Sequence, residues 1–194
     1  TLVGAWPIDV QRLTDYMMKA VREAKSETSW NDPVPEYEDA LKDFIAALLE
    51  DAGFIADLES FVGGLVGPGR VNSLAQVLIK LTAPGVPDIY QGNELWDLSL
   101  VDPDNRRTVD YGIRRELLAS LKSATPEQIM ARSDEGLPKL WVTKQALAFR
   151  RRRPELFGAA GTYTPVWAEG PARDHVVAFL RGDGALTVVP RLPL

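Results

Sequence analysis

The chain has 194 residues, of which 45% are hydrophobic and 25% charged, with a net charge of −5, a balance typical of soluble globular proteins. It has no cysteine and one histidine, His175, which excludes disulfides, thiolate catalysis, cysteine-based zinc sites and any site built from several imidazoles. No apolar run reaches the ~20 residues that span a bilayer, and the first residues, TLVGAWPIDV, do not read as a secretory signal. We therefore expect a cytoplasmic protein without a membrane partner.

The first 81 residues read as helices. Apolar residues recur at three-and-four spacing over 9–25 and again over 37–54, and the segment SETSWNDPVP with its two prolines interrupts them. A third helix is predicted over Ala56–Leu65. The three glycines and the proline of GLVGPG then predict a turn, and a fourth helix runs from about Asn72 to Leu81.

The rest of the chain mixes helices and strands. Ala83-Pro84-Gly85 breaks the fourth helix, and VPDIY at 86–90 reads as a short buried strand. Helices are predicted over GIRRELLASL, over TPEQIMARS with Thr125 as N-cap, and over LPKLWVTKQALAFRRRR. From Gly158 the β-forming residues cluster around Asp183-Gly184, which indicates a hairpin. The predicted class is α+β, mostly α.

Charge is unevenly distributed. Residues 9–60 carry thirteen acidic and five basic side chains, and the chain has no long basic stripe, so nucleic acid is not an expected partner. The four arginines Arg150–Arg153 precede Pro154, where they fit the last turn of a helix and oppose the negative end of its dipole.

Both ends of the chain suggest a fragment. Thr1 is not an initiator methionine, and a sheet of about three strands is short for independent stability. We therefore expect a piece of a longer polypeptide, although a processed N-terminus would look the same.

The segment GVPDIYQGNELWDLSLVDPDNRRTVDY at 85–111 places six carboxylates, two adjacent arginines and three aromatics in one loop. Such a loop is either a solvated turn or part of a site. Gly92 allows close backbone approach to a ligand or simply supplies a turn, and Glu94 accepts hydrogen bonds or caps the next element. Asp-Pro-Asp-Asn at 102–105 is a strong turn signal, and the arginine pair Arg106-Arg107 is suited to holding carboxylates, as a site wall or as a structural knot.

Several of these segments resemble a known family. PGVPDIYQGNE resembles the last barrel strand of the α-amylase superfamily, glycoside hydrolase family 13. Within it, GNELWDLSLVDPDNRRTVDY, AKSETSWNDPVPEYE and KLWVTKQALAFRRRRPELF resemble the maltooligosyltrehalose synthases. The segments occur in the family's order and span almost the whole chain.

The resemblance implies an enzyme that acts on maltooligosaccharides, which are linear α-1,4-glucans. It moves the reducing-end glucose into an α,α-1,1 linkage by intramolecular transglucosylation, without cofactor or metal. In the family the catalytic carboxylates lie upstream of the LVGAWP segment, so no catalytic residue is carried over to this chain. The expected partners are the glucan and the N-terminal barrel segments of the same polypeptide.

The resemblance also implies an architecture. Residues 1–157 would be the mainly helical C-terminal part of a (β/α)8 catalytic barrel with a helical insertion, and its last barrel strand would lie near 86–91. Residues 158–194 would begin a C-terminal β-domain.

Because barrel enzymes place their sites at the carboxyl ends of the strands, the loop after residue 90 is the expected substrate-binding region. The residues predicted to bind substrate are Tyr90, Gln91, Gly92, Glu94, Asp102, Asn105, Arg106 and Arg107. Trp96 and Trp30 are candidates for sugar stacking, with a place in the core as the alternative. Asp88 and Glu94 have no spacing that selects them as a catalytic pair, and His175 is expected at a strand end without a chemical role. A non-catalytic module that binds glucan or a partner protein is the alternative function.

Overall fold

The computed structural model describes residues 1–101 and 104–193, and this part of the chain forms two compact units. The first unit comprises Thr1–Leu65 and Leu98–Thr108, and the second comprises Val66–Asp97 and the chain from Val109 on. Eight α-helices and one three-stranded sheet account for most of the described residues. The mostly helical class predicted from the sequence is confirmed.

The first unit is built from helices around one small core. Its elements are α1 Leu2–Ala5, α2 Val10–Ala24, α3 Pro35–Glu50, the first half of α4 Ala52–Thr82 and a 3-10 turn at Asp104–Arg106. The core consists of buried residues from α1 to α3 and of partly buried ones that include Leu100 from the 98–108 segment: Ala5, Ile8, Leu13, Ile45 and Leu100. The predicted helix over 9–25 is thereby confirmed.

Capping residues set the helix boundaries in this unit. Asp9 accepts a hydrogen bond of 2.8 Å from the backbone N of Arg12, and Lys25 closes α2 in the left-handed conformation. The predicted second helix, 37–54, is divided at Asp51, because the Asp51 carboxylate accepts hydrogen bonds from the backbone N of Gly53 and Phe54 and so begins a new helix.

The prediction of a turn at GLVGPG was wrong. One helix, α4, runs without interruption from Ala52 to Thr82 and contains Pro68. A turn there would place a glycine in the left-handed region, and none of the glycines of α4 has a positive φ. Pro68 costs the helix one backbone hydrogen bond, but its fixed φ is compatible with the helical conformation.

The second unit contains the remaining helices. They are the second half of α4, α5 Tyr111–Ser120, α6 Pro126–Ala131, α7 Leu137–Arg152 and α8 Pro154–Phe157. Thr125 caps α6 as predicted and forms a capping box with Gln128. Of the four arginines predicted in the last turn of α7, Arg150 to Arg152 lie there and Arg153 is the C-cap. The cores of this unit lie between α5, α6 and α7 and between α4 and α7: Leu117, Leu121, Ile129, Leu137 and Leu140 in one, Val77, Leu81 and Ala146 in the other.

The sheet is an antiparallel meander of β1 Tyr163–Val166, β2 Val176–Arg181 and β3 Ala185–Pro190. The β2–β3 hairpin turns at Asp183-Gly184, as predicted. Burial alternates along β3, where Thr187 and Val189 are buried and Leu186 and Val188 exposed. The change from helices to strands falls after Phe157, and its assignment to two domains of a whole enzyme stays a prediction.

The structure contradicts the prediction of a buried strand at 86–90. These residues have no regular secondary structure, and Val86, Ile89 and Tyr90 are exposed. A strand needs a neighbouring strand for its backbone hydrogen bonds, and none of the three described strands pairs here. A role of this segment as a barrel strand stays a prediction.

Candidate functional site

In the second unit, the first part of the predicted loop is a tight turn after α4. Tyr90 and Gln91 are exposed, and the backbone N of Asn93 donates a hydrogen bond of 3.2 Å to the Tyr90 carbonyl. Gly92 is buried with a φ of +93°, a conformation that favours glycine. The turn therefore requires Gly92, whereas Tyr90 and Gln91 face solvent.

One arginine of α5 holds this turn. Arg114 Nε donates to Glu94 Oε2 at 3.1 Å, its Nη2 donates to the Gly92 carbonyl at 2.7 Å, and its Nη1 donates to the Asp110 carbonyl at 3.0 Å. A planar guanidinium that bonds three separate oxygens fixes their relative positions. Arg114 thus fixes two predicted site residues, Gly92 and Glu94, and it was missed in the sequence.

The following residues are anchored to α7 and to the segment that precedes it. The indole Nε1 of Trp96 donates to the Ser133 carbonyl at 2.6 Å, and Lys139 Nζ donates to the Leu95 carbonyl at 2.8 Å. Burial lowers the pKa of Lys139. Gly136, at a φ of +79°, leaves so little space that a Cβ there would lie 3.0 Å from the Trp96 backbone N. Trp96 therefore has a structural role in the described contacts.

In the first unit, the second part of the loop is organised around the buried carboxylate of Asp104. The Arg12 guanidinium donates two hydrogen bonds to this carboxylate, from Nε to Oδ1 at 3.1 Å and from Nη2 to Oδ2 at 2.7 Å. The backbone N of Leu100 donates to Oδ2 at 2.8 Å, and Arg107 Nε lies 2.8 Å from Oδ1. These contacts tie α2 to the 98–108 segment.

The ion pair determines the protonation state of Asp104. The hydrogen bond from Arg12 lowers the pKa of Asp104, against the opposing effect of burial, and Leu100 and Arg107 add to the lowering. A carboxyl with a lowered pKa is ionised at neutral pH and is a poor proton donor. Asp104 is therefore suited to holding the loop, not to acid catalysis.

One member of the predicted arginine pair has a described contact with this carboxylate. Arg107 contacts Asp104, but the bidentate partner is Arg12, which the sequence did not indicate. Arg106 is exposed. Two other predicted residues, Asp102 and the side chain of Asn105, lie outside the described part of the chain.

Other candidates of the sequence have structural surroundings. His175 ends a short 3-10 turn before β2 and its Nδ1 lies 3.1 Å from the Leu192 carbonyl oxygen, in agreement with the predicted strand-end position. Asp88 is exposed, whereas Glu94 is bound by Arg114. Within residues 1–101 and 104–193, no three His, Cys, Asp or Glu side chains group as metal ligands do, and no helix is long and apolar enough to cross a membrane.

A cavity of about 390 Å³ lies elsewhere in the second unit, between α4, α7 and the β2–β3 hairpin. Its walls include Leu78, Trp141, Phe149 and Leu186. None of the described residues predicted to bind substrate lines it. The cavity and the turn at 90–94 therefore share no residue, although both lie in the second unit.

Comparison with known proteins gives relatives over nearly the whole chain. No family model matches. Two curated Mycobacterium tuberculosis proteins, from strains CDC 1551 and H37Rv, are provisionally named maltooligosyl trehalose synthases. Each aligns with 97% of this chain, at 44% sequence identity. The chain spans only 23% of their length.

Solved structures agree with these relatives. The maltooligosyltrehalose synthase of Arthrobacter ramosus superposes with a TM-score of 0.87 at 44% identity, over 99% of this chain and 24% of that one. A hypothetical maltooligosyl trehalose synthase of Sulfolobus tokodaii gives a TM-score of 0.85 at 31% identity, over 100% of this chain and 26% of that one. Over nearly its whole length this chain is therefore similar to maltooligosyltrehalose synthases, and it spans about a quarter of their length.

Proposed function

We propose that the chain is the C-terminal portion of a cytoplasmic maltooligosyltrehalose synthase of glycoside hydrolase family 13. The whole enzyme would convert the reducing-end α-1,4 linkage of a maltooligosaccharide into an α,α-1,1 linkage. The observation that carries this proposal is the 44% identity over 97% of the chain, which extends to a fold match at a TM-score of 0.87.

Such a reaction needs a retaining mechanism followed by internal transfer. A carboxylate nucleophile and a carboxylic acid ~5–5.5 Å apart form a covalent glycosyl-enzyme and release glucose. The site then holds that glucose while it turns and offers its anomeric hydroxyl as the acceptor, and bulk water is kept out. A site of this kind requires walls that are held in place.

We propose that this chain contributes to the walls of the active site and does not supply its catalytic carboxylates. The carboxylates of Asp104 and Glu94 are bound by Arg12 and Arg114, so both are engaged in positioning the loop. The nucleophile and the general acid would lie on the barrel segments of the same polypeptide, as the family resemblance implies. The glucan and those segments are the proposed partners, and no cofactor or metal takes part.

The proposed sugar contacts are the loop residues predicted from the sequence. Tyr90 is 46% exposed and offers an aromatic ring, and exposed Gln91 offers an amide to sugar hydroxyls. Gly92 and Glu94 contribute in the geometry that Arg114 imposes. Asp102, Asn105, Arg106 and Arg107 complete the proposed set in the segment anchored by Asp104.

The test uses the full-length polypeptide and maltopentaose. Because an α,α-1,1 linkage has no free anomeric carbon, isomerisation removes reducing ends without releasing glucose, whereas hydrolysis adds them. A fall in reducing ends with little free glucose is expected. Unchanged reducing ends at high enzyme concentration would contradict the proposal.

The alternative of a non-catalytic module has no such support. The relatives that match this chain are about four times its length and carry the names of synthases, not of binding proteins. We therefore do not propose it.

A further inference from the structure

Trp30 lies in the connection between α2 and α3 of the first unit, and its side chain is unusually exposed. The residue is 55% accessible, although tryptophan carries the largest apolar surface of any side chain. A single exposed apolar residue needs no explanation by itself. The surroundings of Trp30, however, form a support that keeps it in place.

The centre of this support is a buried acid. Glu38 on α3 is only 5% accessible, and its two oxygens accept hydrogen bonds from Arg22 on α2, Nε to Oε1 at 2.8 Å and Nη2 to Oε2 at 2.6 Å. The hydroxyl of Thr28, also buried, donates to Glu38 Oε1 at 2.8 Å and accepts from the backbone N of Val34 at 3.1 Å. These bonds fix both ends of the connection.

The arginine held by Glu38 is also the arginine that meets the tryptophan. Arg22 Cζ lies 4.9 Å from the centroid of the Trp30 ring, within the range of a cation–π contact. Because Glu38 fixes the guanidinium at two nitrogens, the plane that Arg22 presents to the ring is fixed as well. The connection itself is tightened by mutual bonds between Ser29 and Asp32, at 3.1 and 2.9 Å.

This arrangement is better suited to holding the Trp30 indole at the surface for a ligand than to stabilising the fold. A buried ion pair contributes little beyond what apolar residues of similar size would contribute, since desolvation offsets most of the attraction. The indole, which would stabilise the fold if it were buried, is left largely in water. The result is a rigid aromatic surface beside the exposed polar residues Asn31 and Asp32.

We propose that Trp30 is a stacking platform for a glucose residue of an α-1,4-glucan, and that Arg22 and Glu38 are its positioning residues. The apolar face of a pyranose ring matches an indole face, and the amide of Asn31 and the carboxylate of Asp32 suit its hydroxyls. The choice of a glucan as the ligand rests on the proposed function, which makes glucans the substrate. The platform shares no residue with the set of sugar contacts proposed above for the loop.

The test observes Trp30 itself in the full-length polypeptide, labelled with 5-fluorotryptophan. Trp30→Phe identifies its ¹⁹F resonance by loss of that signal, and Trp167→Phe does the same for Trp167, a more exposed tryptophan at 85% that serves as the matched control. Maltoheptaose is then titrated into the labelled protein, and isomerisation is assayed in the same samples. The Trp30 resonance is expected to shift and saturate, while the Trp167 resonance stays in place.

The outcomes separate this inference from the proposed function. An unmoved Trp30 resonance in a sample that isomerises maltoheptaose overturns the platform and leaves the function standing. A saturating shift in a sample without isomerisation supports the platform and contradicts the function.

The role of the support is tested by Arg22→Lys, which keeps the charge but loses the planar fork. The dissociation constant read from the Trp30 resonance is expected to rise about 3-fold, on the scale of a lost cation–π contact. An unchanged constant would show that Arg22 does not position the indole for binding.

Discussion

Arg12 and Asp104 are 92 positions apart in the sequence, yet Arg12 Nη2 lies 2.7 Å from Asp104 Oδ2. The contact holds the 98–108 segment against α2. The Asp104 side chain is 6% exposed and the Arg12 side chain 19%. Since a buried charge without its partner is costly, this pair determines whether the segment stays in place.

We predict that Arg12→Ala lowers the free energy of unfolding of the first unit by about 2 kcal/mol, because the buried Asp104 carboxylate is left without its charged partner. Amide hydrogen exchange in peptides from α2 should then be about 30-fold faster where it proceeds by local opening. The control is Arg107→Ala, because the Arg107 side chain is 53% exposed and such a contact contributes at most about 1 kcal/mol. Equal effects of both variants would contradict the dominant role of Arg12.

Acid should weaken the Glu38 contact in a defined pH range. Its hydrogen bonds from Arg22 and Thr28 lower the pKa of Glu38 from 4.5 to about 2. The unfolded chain therefore takes up this proton at a higher pH than the folded one, so the stabilisation is complete above the unfolded value of 4.5 and is lost as the pH falls towards 2.

The measurement is the melting temperature of wild type and of Glu38→Gln between pH 6 and pH 2. The gap between the two proteins should be widest above the unfolded pKa and should close in acid. Glu36→Gln, which changes an exposed acid in the first turn of α3, should leave the melting temperature close to that of wild type. A gap for Glu38→Gln that does not vary with pH would show that its ionisation is not what stabilises the contact.

Sequence patterns predicted most of the helices because their causes are local. The caps at Thr125 and the apolar spacing of 9–25 lie within single elements, and the β2–β3 hairpin follows from Asp183-Gly184 between β-forming residues. The break inside α4 was wrongly predicted, since glycine and proline lower helix propensity without forbidding a helix.

The partners of the loop could not be predicted in the same way. Arg12 is an ordinary residue in the first turn of α2, and nothing near it indicates a carboxylate 92 positions away. Arg114 gives a weak signal, as it lies near the start of α5, shortly after a polar turn. Long-range ion pairs depend on tertiary packing, which a single sequence does not display.

Removing Arg114 should disturb the turn at Gly92 and Glu94. In the full-length enzyme we expect Arg114→Ala to lower isomerisation by ~10²-fold, the scale on which a displaced site element matters. Free glucose should rise relative to the isomerised product, because a loosened wall admits water to the glycosyl-enzyme. Arg115→Ala, which changes the exposed neighbour on the same helix, is the matched control and should leave rate and ratio unchanged. If Arg114→Ala behaves like Arg115→Ala, the turn has no role at the site.

The arginine pair of the loop is tested in the same assay. At least one of Arg106→Ala and Arg107→Ala should lower isomerisation by ~10²-fold and raise the proportion of glucose. A defect of stability alone would reduce both products together, so the ratio separates the two explanations. Unchanged rate, ratio and melting temperature in both variants would make this segment a connector only.

The linkages formed from maltopentaose test the proposed function most directly. Anomeric-proton NMR of the product mixture counts α-1,4 and α,α-1,1 linkages separately. For the full-length polypeptide we predict one new α,α-1,1 linkage for each α-1,4 linkage lost, and for the 194-residue chain on its own we predict neither isomerisation nor hydrolysis. An α,α-1,1 linkage formed by the isolated chain would contradict the placement of the catalytic carboxylates outside it. Loss of α-1,4 linkages by the full-length polypeptide with only free reducing ends in their place would contradict the assignment as a synthase.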